Sequence, residues 1–496
     1  MSSESPLSKP ITPKELEKEL GGNRSSTTRS ASEDNDGSNR HEEIKELNQQ
    51  KSNGDVDVQP NGGYGWVCVA TCFTINAHTW GMNSSYGVFL NYYLSNSVFP
   101  SASRLSYAFI GGLSMSMAVL ISPIITTVIR KYGTRTCLLI GVFFQTISFI
   151  GASFATQIWQ LVLSQGICFG FGMGFLFVGS VGIIPQWFST RRSLANGISA
   201  SGSGFGGLTY SLATNAMIQH LGLAWTFRVL GILSFVVNTI CALLLRDRNQ
   251  QVGAKNLAFD VKLFRKWEFW ILLGFGFFSM LGYVVLLFSI ANYASTIGLT
   301  PKQASVVGAI LNLGQGLGRP PIGYFSDYIG RINMAGTTTF FCGFLVLVVW
   351  INAKSYGVLI FYALVGGTVA GTYWATVAPV TAEVVGLKDL NSALSITWLF
   401  ITLPMLFSEP IGLEIVKFNN GSYLGAQLFA GVMYIAAACC LWILKAWKVG
   451  QLERLAASDH LNPTQINPVQ EDLDGRGDDT VQVSPFVKRL IKWRKV

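Results

Sequence analysis

About twelve near-continuous apolar stretches recur along this chain, and each approaches the length needed to cross a hydrocarbon layer. They fall at residues 66–90, 105–129, 136–154, 158–184, 193–217, 224–245, 268–294, 303–325, 333–352, 356–381, 391–415 and 423–445. A helix rises ~1.5 Å per residue, so ~20 apolar residues cover the ~30 Å interior of a bilayer. Without water to satisfy the backbone, each stretch has to close its own hydrogen bonds, which selects the α-helix. Only 13% of residues are charged, against ~25% in a soluble domain. These features predict an all-α membrane protein with twelve transmembrane helices, closely packed through many of its 52 glycines.

The helices divide into two related halves. The segment Thr126–Arg135 (TTVIRKYGTR) follows the second span, and Gly323–Arg331 (GYFSDYIGR) follows the eighth. Gly133 and Gly330 are 197 residues apart, the spacing of an internal repeat of two pseudo-symmetric six-helix bundles. The expected division is a cytosolic tail (1–60), a first bundle (61–245), a polar linker (246–266), a second bundle (267–448) and a C-terminal tail (449–496). The N-terminal tail is rich in Ser, Asn, Glu, Lys and Gly and cannot bury a core. Phe486–Val496 (FVKRLIKWRKV) alternates apolar and basic residues, as a segment lying on an anionic leaflet does.

Charge orients the chain. With the N-terminus inside, the inward loops hold thirteen Lys or Arg, among them Arg130, Lys131, Arg135, Arg191 and Arg192; the outward loops hold four. The positive-inside rule then places both termini in the cytosol. The net charge of +9 is accounted for by these loops and tails, so no nucleic-acid partner is expected. The first sixty residues contain no apolar stretch, so the first span serves as its own insertion signal. The eight cysteines lie in apolar spans and read as small buried hydrophobes, with no disulfides expected.

The residue of greatest consequence is Arg319, inside an apolar run and with no acid within seven residues on either side. A cation at mid-membrane costs ~2.5–3.5 kcal/mol on insertion scales, so it persists where it faces a bundle interior or a wet cavity. Snorkelling to headgroups is the alternative. Pro320 and Pro321 are expected to break the helix there, exposing backbone to a cavity. Candidate partners at this depth are Gln315, Asn312, Tyr283 and Trp374 in the second half, and Asn83 and Tyr86 in the first. Asn83 and Tyr86 share one helix face and read equally as interhelical glue or as solute contacts. His78 reads as glue, and Asn196 as packing, with reach to the cavity as its alternative. Trp374 either stacks on a flat solute or fills space left by neighbouring glycines.

Glu409 is an acid well inside the eleventh span. Counting along the helices puts Arg319 roughly 9 Å and Glu409 roughly 27 Å above the inner end, so the two are not expected to pair. Glu409 is a proton-coupling candidate or a residue of the outer mouth. The loops ending the second and eighth spans supply a candidate conformational latch: Asp327, Gly330 and Arg331 in one copy, Arg130, Gly133 and Arg135 in the other. Because Arg130 stands where the second copy has Asp327, the two latches should differ.

Three motifs carry a family resemblance: NGGYGW (Asn61–Trp66), QWFSTRRSLANGISASG (Gln186–Gly202) and GRPPIGYFSD (Gly318–Asp327). Across residues 60–448 the chain resembles the major facilitator superfamily and, within it, the fungal branch of the monocarboxylate transporter family. The resemblance implies the major facilitator fold, a central site and alternating access by rocking of the halves. It also implies a carboxylate-binding arginine in the eighth span, a position Arg319 occupies. The family's proton-handling aspartate one turn earlier is Gln315 here, its first-span lysine is replaced by Asn83 or Ser84, and the acid of its first motif is Asn61.

The function expected is secondary transport of a small organic solute, a monocarboxylate or related anion, with a proton as candidate co-substrate. A facilitator of a neutral or vitamin-like metabolite and a non-transporting sensor are the alternatives. The site expected is the plasma membrane, with the vacuolar membrane as the alternative. Four scattered histidines make no metal or haem cluster and no P-loop appears, so neither an enzyme nor a cofactor is expected.

Overall fold

A computed structural model of the chain describes residues 59–96, 98, 99, 104–461 and 489. The N-terminal tail up to residue 58 and nearly all of the basic segment at Phe486–Val496 lie outside the described residues. The described residues form twelve transmembrane helices in two pseudo-symmetric bundles of six, with no strand among them.

Helix α1 (64–95) runs as Tyr64–Asn76, a π-helical turn Ala77–Gly81, Met82–Ser84 and Tyr86–Ser95. Helix α2 (104–132) begins as Arg104–Leu120 and continues to Gly133; α3 covers 134–153. Helix α4 (158–181) contains the π-helical stretch Val162–Cys168. Helices α5 (Arg192–Leu221) and α6 (Leu223–Leu244) complete the first half. The second comprises α7 (Trp267–Thr296), α8 (Pro301–Ile329), α9 (Arg331–Trp350), α10 (Tyr356–Val385, interrupted at Gly371), α11 (Leu390–Phe418) and α12 (Leu424–Leu461).

The repeat is visible in the backbone. Gly133 (φ 83°, ψ 166°) joins α2 to α3, and Gly330 (φ 110°, ψ 141°) joins α8 to α9. Both reverse the chain with no intervening loop, in a region that only glycine adopts without strain. The helices whose composition alone falls short of a membrane span are α1, α2, α5 and α8. Helices α1 and α2 are broken into shorter segments, α5 carries a row of Gly and Ser, and α8 carries Gln315 and Arg319.

Each half has its own core. Phe89, Phe149 and Phe227 pack together in the first; Tyr293, Trp350 and Tyr362 do so in the second. A third cluster crosses between halves, joining Val119 and Phe177 to Trp374 and Trp398. Between the halves, α5 crosses α8 in close contact. A Cβ at Gly204 would lie 2.5 Å from the Gly316 nitrogen, and one at Gly197 or Gly323 would strike the backbone of Arg319 or Ser193. Glycine at these positions lets the two backbones touch.

Two expectations need correction. Pro320 and Pro321 do not break α8, which continues to Ile329. The helix is clamped along α5 through Gly197 and Gly323 on either side of the prolines, and such packing outweighs two missing backbone donors. The cysteines are also less uniform than expected: Cys439 is exposed and Cys168 and Cys440 are half-buried, on outward helix faces where lipid replaces a core.

Candidate functional site

Arg319 lies on the α5-facing side of α8 and is only 3% exposed. Its guanidinium occupies space left by Gly371, where a Cβ would stand 2.7 Å from Nε. Gly371 interrupts α10, so the break and the missing side chain together make room for the charge. Nη1 donates to the Ala200 carbonyl at 2.6 Å and to the Ser203 hydroxyl; Nη2 donates to Gln315 Oε1 at 2.8 Å. Nε has no partner among the described residues. Every acceptor is neutral, and Arg319 makes no ion pair among the described residues.

Gln315 sits one turn before Arg319 and is 2% exposed. Its Oε1 also accepts from Tyr283 at 2.9 Å, while its Nε2 is unpartnered. The Tyr283 ring lies 6.3 Å from that of Trp374. Arg319, Gln315, Tyr283 and Trp374 are therefore one contiguous group. Asn312 is one turn further along α8, beside Gly207 of α5.

The first-half candidates are engaged elsewhere. Asn83 Oδ1 accepts from the Ser114 hydroxyl at 2.9 Å, and Tyr86 donates to the Tyr107 carbonyl at 2.6 Å. Both tie α1 to α2. The His78 ring bonds the Thr74 carbonyl at 2.9 Å and meets Tyr210 edge-on. Asn196 donates to the Ala375 carbonyl at 2.7 Å, crossing between halves. That carbonyl lacks its helical partner because residue 379 is proline.

Glu409 stays apart from Arg319. Its neighbour is Tyr423, at the start of α12, and its Oε2 is buried with no hydrogen-bond partner among the described residues.

The end of the molecule bearing the basic loops is closed. Asp327 accepts the backbone N–H groups of Ser193 and Leu194, at 3.0 and 2.9 Å, where α5 begins. Arg331 pairs with Glu383 of α10 and also donates to the Ser189 carbonyl. Arg192 approaches Glu383 at 4.0 Å. The other copy is not built this way: Arg130 and Arg135 are exposed and make no ion pair among the described residues. The linker holds that side instead. Asn249 Oδ1 accepts from Gln186 at 3.0 Å and from Asn391 at 3.2 Å, and Leu257 N–H donates to the Ser392 hydroxyl at 2.8 Å. Glu383 and Asn249 escaped sequence reading. Glu383 was detectable as an acid at the inner end of the tenth span; nothing local marks Asn249.

Two of the sequence motifs meet here. Asn61 Oδ1 accepts from the backbone N–H groups of Ser189 and Thr190 at 2.7 and 2.9 Å. Arg246 lies over the Tyr64 ring at 4.3 Å. The contact needs only an acceptor, which the amide of Asn61 supplies as well as an acid would.

Comparison with known proteins agrees with this architecture. The family profile described as Major Facilitator Superfamily matches residues 68–290 and 272–473. "Probable transporter MCH2" of Saccharomyces cerevisiae is 33% identical over 428 residues, 84% of this chain and 90% of that protein. "Uncharacterized transporter ESBP6" of the same yeast is 32% identical over 425 residues, 82% of this chain and 62% of that protein. Among solved structures, the E. coli fucose:proton symporter FucP superposes with a TM-score of 0.59 at 12% identity, covering 77% of this chain and 99% of that one.

Proposed function

The chain belongs to the Major Facilitator Superfamily and is a membrane transporter, and on that premise we propose that its solute is a small organic anion, a monocarboxylate or close relative, held by Arg319. One observation carries this reading: a buried guanidinium whose acceptors are all neutral and whose Nε is unpaired. A cation kept in low dielectric without a counter-charge is costly, and an anionic solute would supply the missing charge. Arg331 shows the contrast, since at the membrane edge it has both Asp327 and Glu383.

Alternating access follows from the two halves. With the basic end sealed by Asp327, Arg331 and Glu383, the solute enters from the opposite side. Rocking then parts α5 from α8 and releases it at the basic end. On this reading the division of the chain is a first bundle at 61–245 and a second at 267–448, with the linker 246–266 and both tails cytosolic and the plasma membrane as the site. Asn312 and Trp374 line the solute's path with Gln315 and Tyr283; Asn83 and Tyr86 support it by fixing α1 on α2.

Proton coupling is the finer part of the proposal. The amide of Gln315 cannot carry a proton beside Arg319, which leaves Glu409, buried with an unpaired oxygen, as the candidate carrier. The FucP neighbour, titled a proton symporter, is consistent with coupling in this fold.

The test is uptake of radiolabelled organic acids and neutral solutes into liposomes, with and without an inward proton gradient. Acid uptake that rises with the gradient and disappears in Arg319→Gln is expected. Uptake of a neutral solute, indifferent to gradient and mutation, would overturn the anion reading.

A further inference from the structure

We propose that the solute is a flat aromatic or heteroaromatic carboxylic acid, its carboxylate on Arg319 and its ring in a slot between Trp80 of the first half and Trp374 of the second. The inference rests on the carboxylate reading above and specifies what the rest of that solute must be.

The aromatic residues that continue from Tyr283 through Trp374 form a slab. Trp374 lies 4.8 Å from Trp80, centroid to centroid, and stacks on Trp398 at 6.0 Å and 12°. Phe177 turns its edge to Trp80, Trp374 and Trp398 at 5.3–5.8 Å. Two of these rings come from the first half and two from the second, so the slab straddles the surface along which the halves part. When they part, the contact between the Trp80 and Trp374 rings, now tilted at 49°, opens and leaves indole surface uncovered. A flat ring inserted between them restores the lost contact, which a short aliphatic acid cannot do.

The unpartnered polar atoms of the slab and of the groups beside it point the same way. Trp80 Nε1, Trp398 Nε1, Tyr373 Oη, Gln315 Nε2 and Arg319 Nε are all buried with no hydrogen-bond partner among the described residues. Four of these five groups can only donate. Such a set complements a ligand rich in acceptors: carboxylate oxygens toward Arg319 and Gln315, and ring oxygen or nitrogen toward the indoles. Trp80 also sits on the π-helical turn Ala77–Gly81, a distortion that recurs at functional sites. Gly81 holds that turn against α5, where a Cβ would stand 2.8 Å from the Gly206 backbone.

The competing role for the rings is to lock the halves together and ignore the solute, and a matched pair of probes separates the two roles. Phenylpyruvate and pyruvate share a headgroup and differ by the ring. In proteoliposomes phenylpyruvate should be taken up with a kcat/KM about 10-fold or more above that of pyruvate. Trp374→Leu and Trp80→Leu should each lower that ratio about 5- to 10-fold, and Trp374→Phe should largely preserve it. Quenching of tryptophan fluorescence by each acid reports binding independently of turnover.

Equal handling of the two acids by the wild type overturns the slot and leaves the carboxylate reading standing, as does a Trp374→Leu variant that lowers both acids alike. If neither acid is transported or quenches fluorescence, or if Arg319→Gln retains both, the carboxylate reading fails and the slot fails with it.

Discussion

Asp327 of α8 accepts the backbone N–H of Ser193 at 3.0 Å, so a side chain of the second half caps a helix of the first. The first turn of α5 has no acid or side-chain cap of its own. Its free N–H groups and partial positive charge are met only while the halves are together at this end. Replacing Asp327 by Ala removes the cap and weakens this closure. Losing a cap costs ~0.5–2 kcal/mol, so opening at the basic end should be favoured about 2- to 30-fold. The check is thiol labelling of a cysteine introduced at the buried Ser193, which should become correspondingly faster.

Gly204 meets α8 at Gly316 with no room for a side chain. Gly204→Val forces the backbones apart at the crossing and should cost ~1–3 kcal/mol in the closed form. Transport should fall at least 10-fold while the helical content by circular dichroism stays near that of the wild type. Unchanged transport would mean that this crossing need not close.

Gln315 donates no proton and carries no charge, yet it touches both Arg319 and Tyr283. Gln315→Glu places a carboxylate one turn from the guanidinium, where it competes with an anionic solute. Uptake of acids should fall at neutral pH and recover as the pH drops, because protonating the new carboxyl frees Arg319. A variant with the wild-type pH profile would count against solute binding at Arg319.

Glu409 is in a span and away from Arg319. If it carries the coupled proton, Glu409→Gln should abolish the response to a proton gradient while exchange of labelled for unlabelled solute continues. Gradient-driven uptake that survives the substitution would assign Glu409 to the outer mouth alone.

Asn249 ties the linker to Gln186 on one side and Asn391 on the other. Asn249→Ala removes both bonds at ~0.5–1.5 kcal/mol each. The expected result is faster proteolytic cleavage of the linker and a shift toward opening at the basic end, read by the Ser193 cysteine. No change in either would leave the linker as a passive tether.

How much of this was legible beforehand depends on the range of the interaction. The twelve spans were readable because hydrocarbon forces every apolar run into the same secondary structure, and the repeat was readable because Gly133 and Gly330 need the same backbone conformation. Arg319 was recognisable because a lone cation in an apolar run is costly wherever the chain folds. The fate of its neighbours was not. Asn83 and Tyr86 had the residue types of a solute site, but they bond Ser114 and the Tyr107 carbonyl because α2 lies against that face of α1. Pro320 and Pro321 looked like a helix break, and close contact with α5 kept the helix intact.

By itself, the sequence determined that this protein spans a membrane in two related halves and keeps the charge of Arg319 among apolar residues, since hydropathy, backbone satisfaction and charge burial act residue by residue. Only the tertiary structure decided which groups surround that charge. The neutral shell of Ala200, Ser203 and Gln315, the space left by Gly371 and the ring slab of Trp80 and Trp374 come from helices far apart in the chain. Their meeting is set by how the helices pack, and no local pattern encodes that.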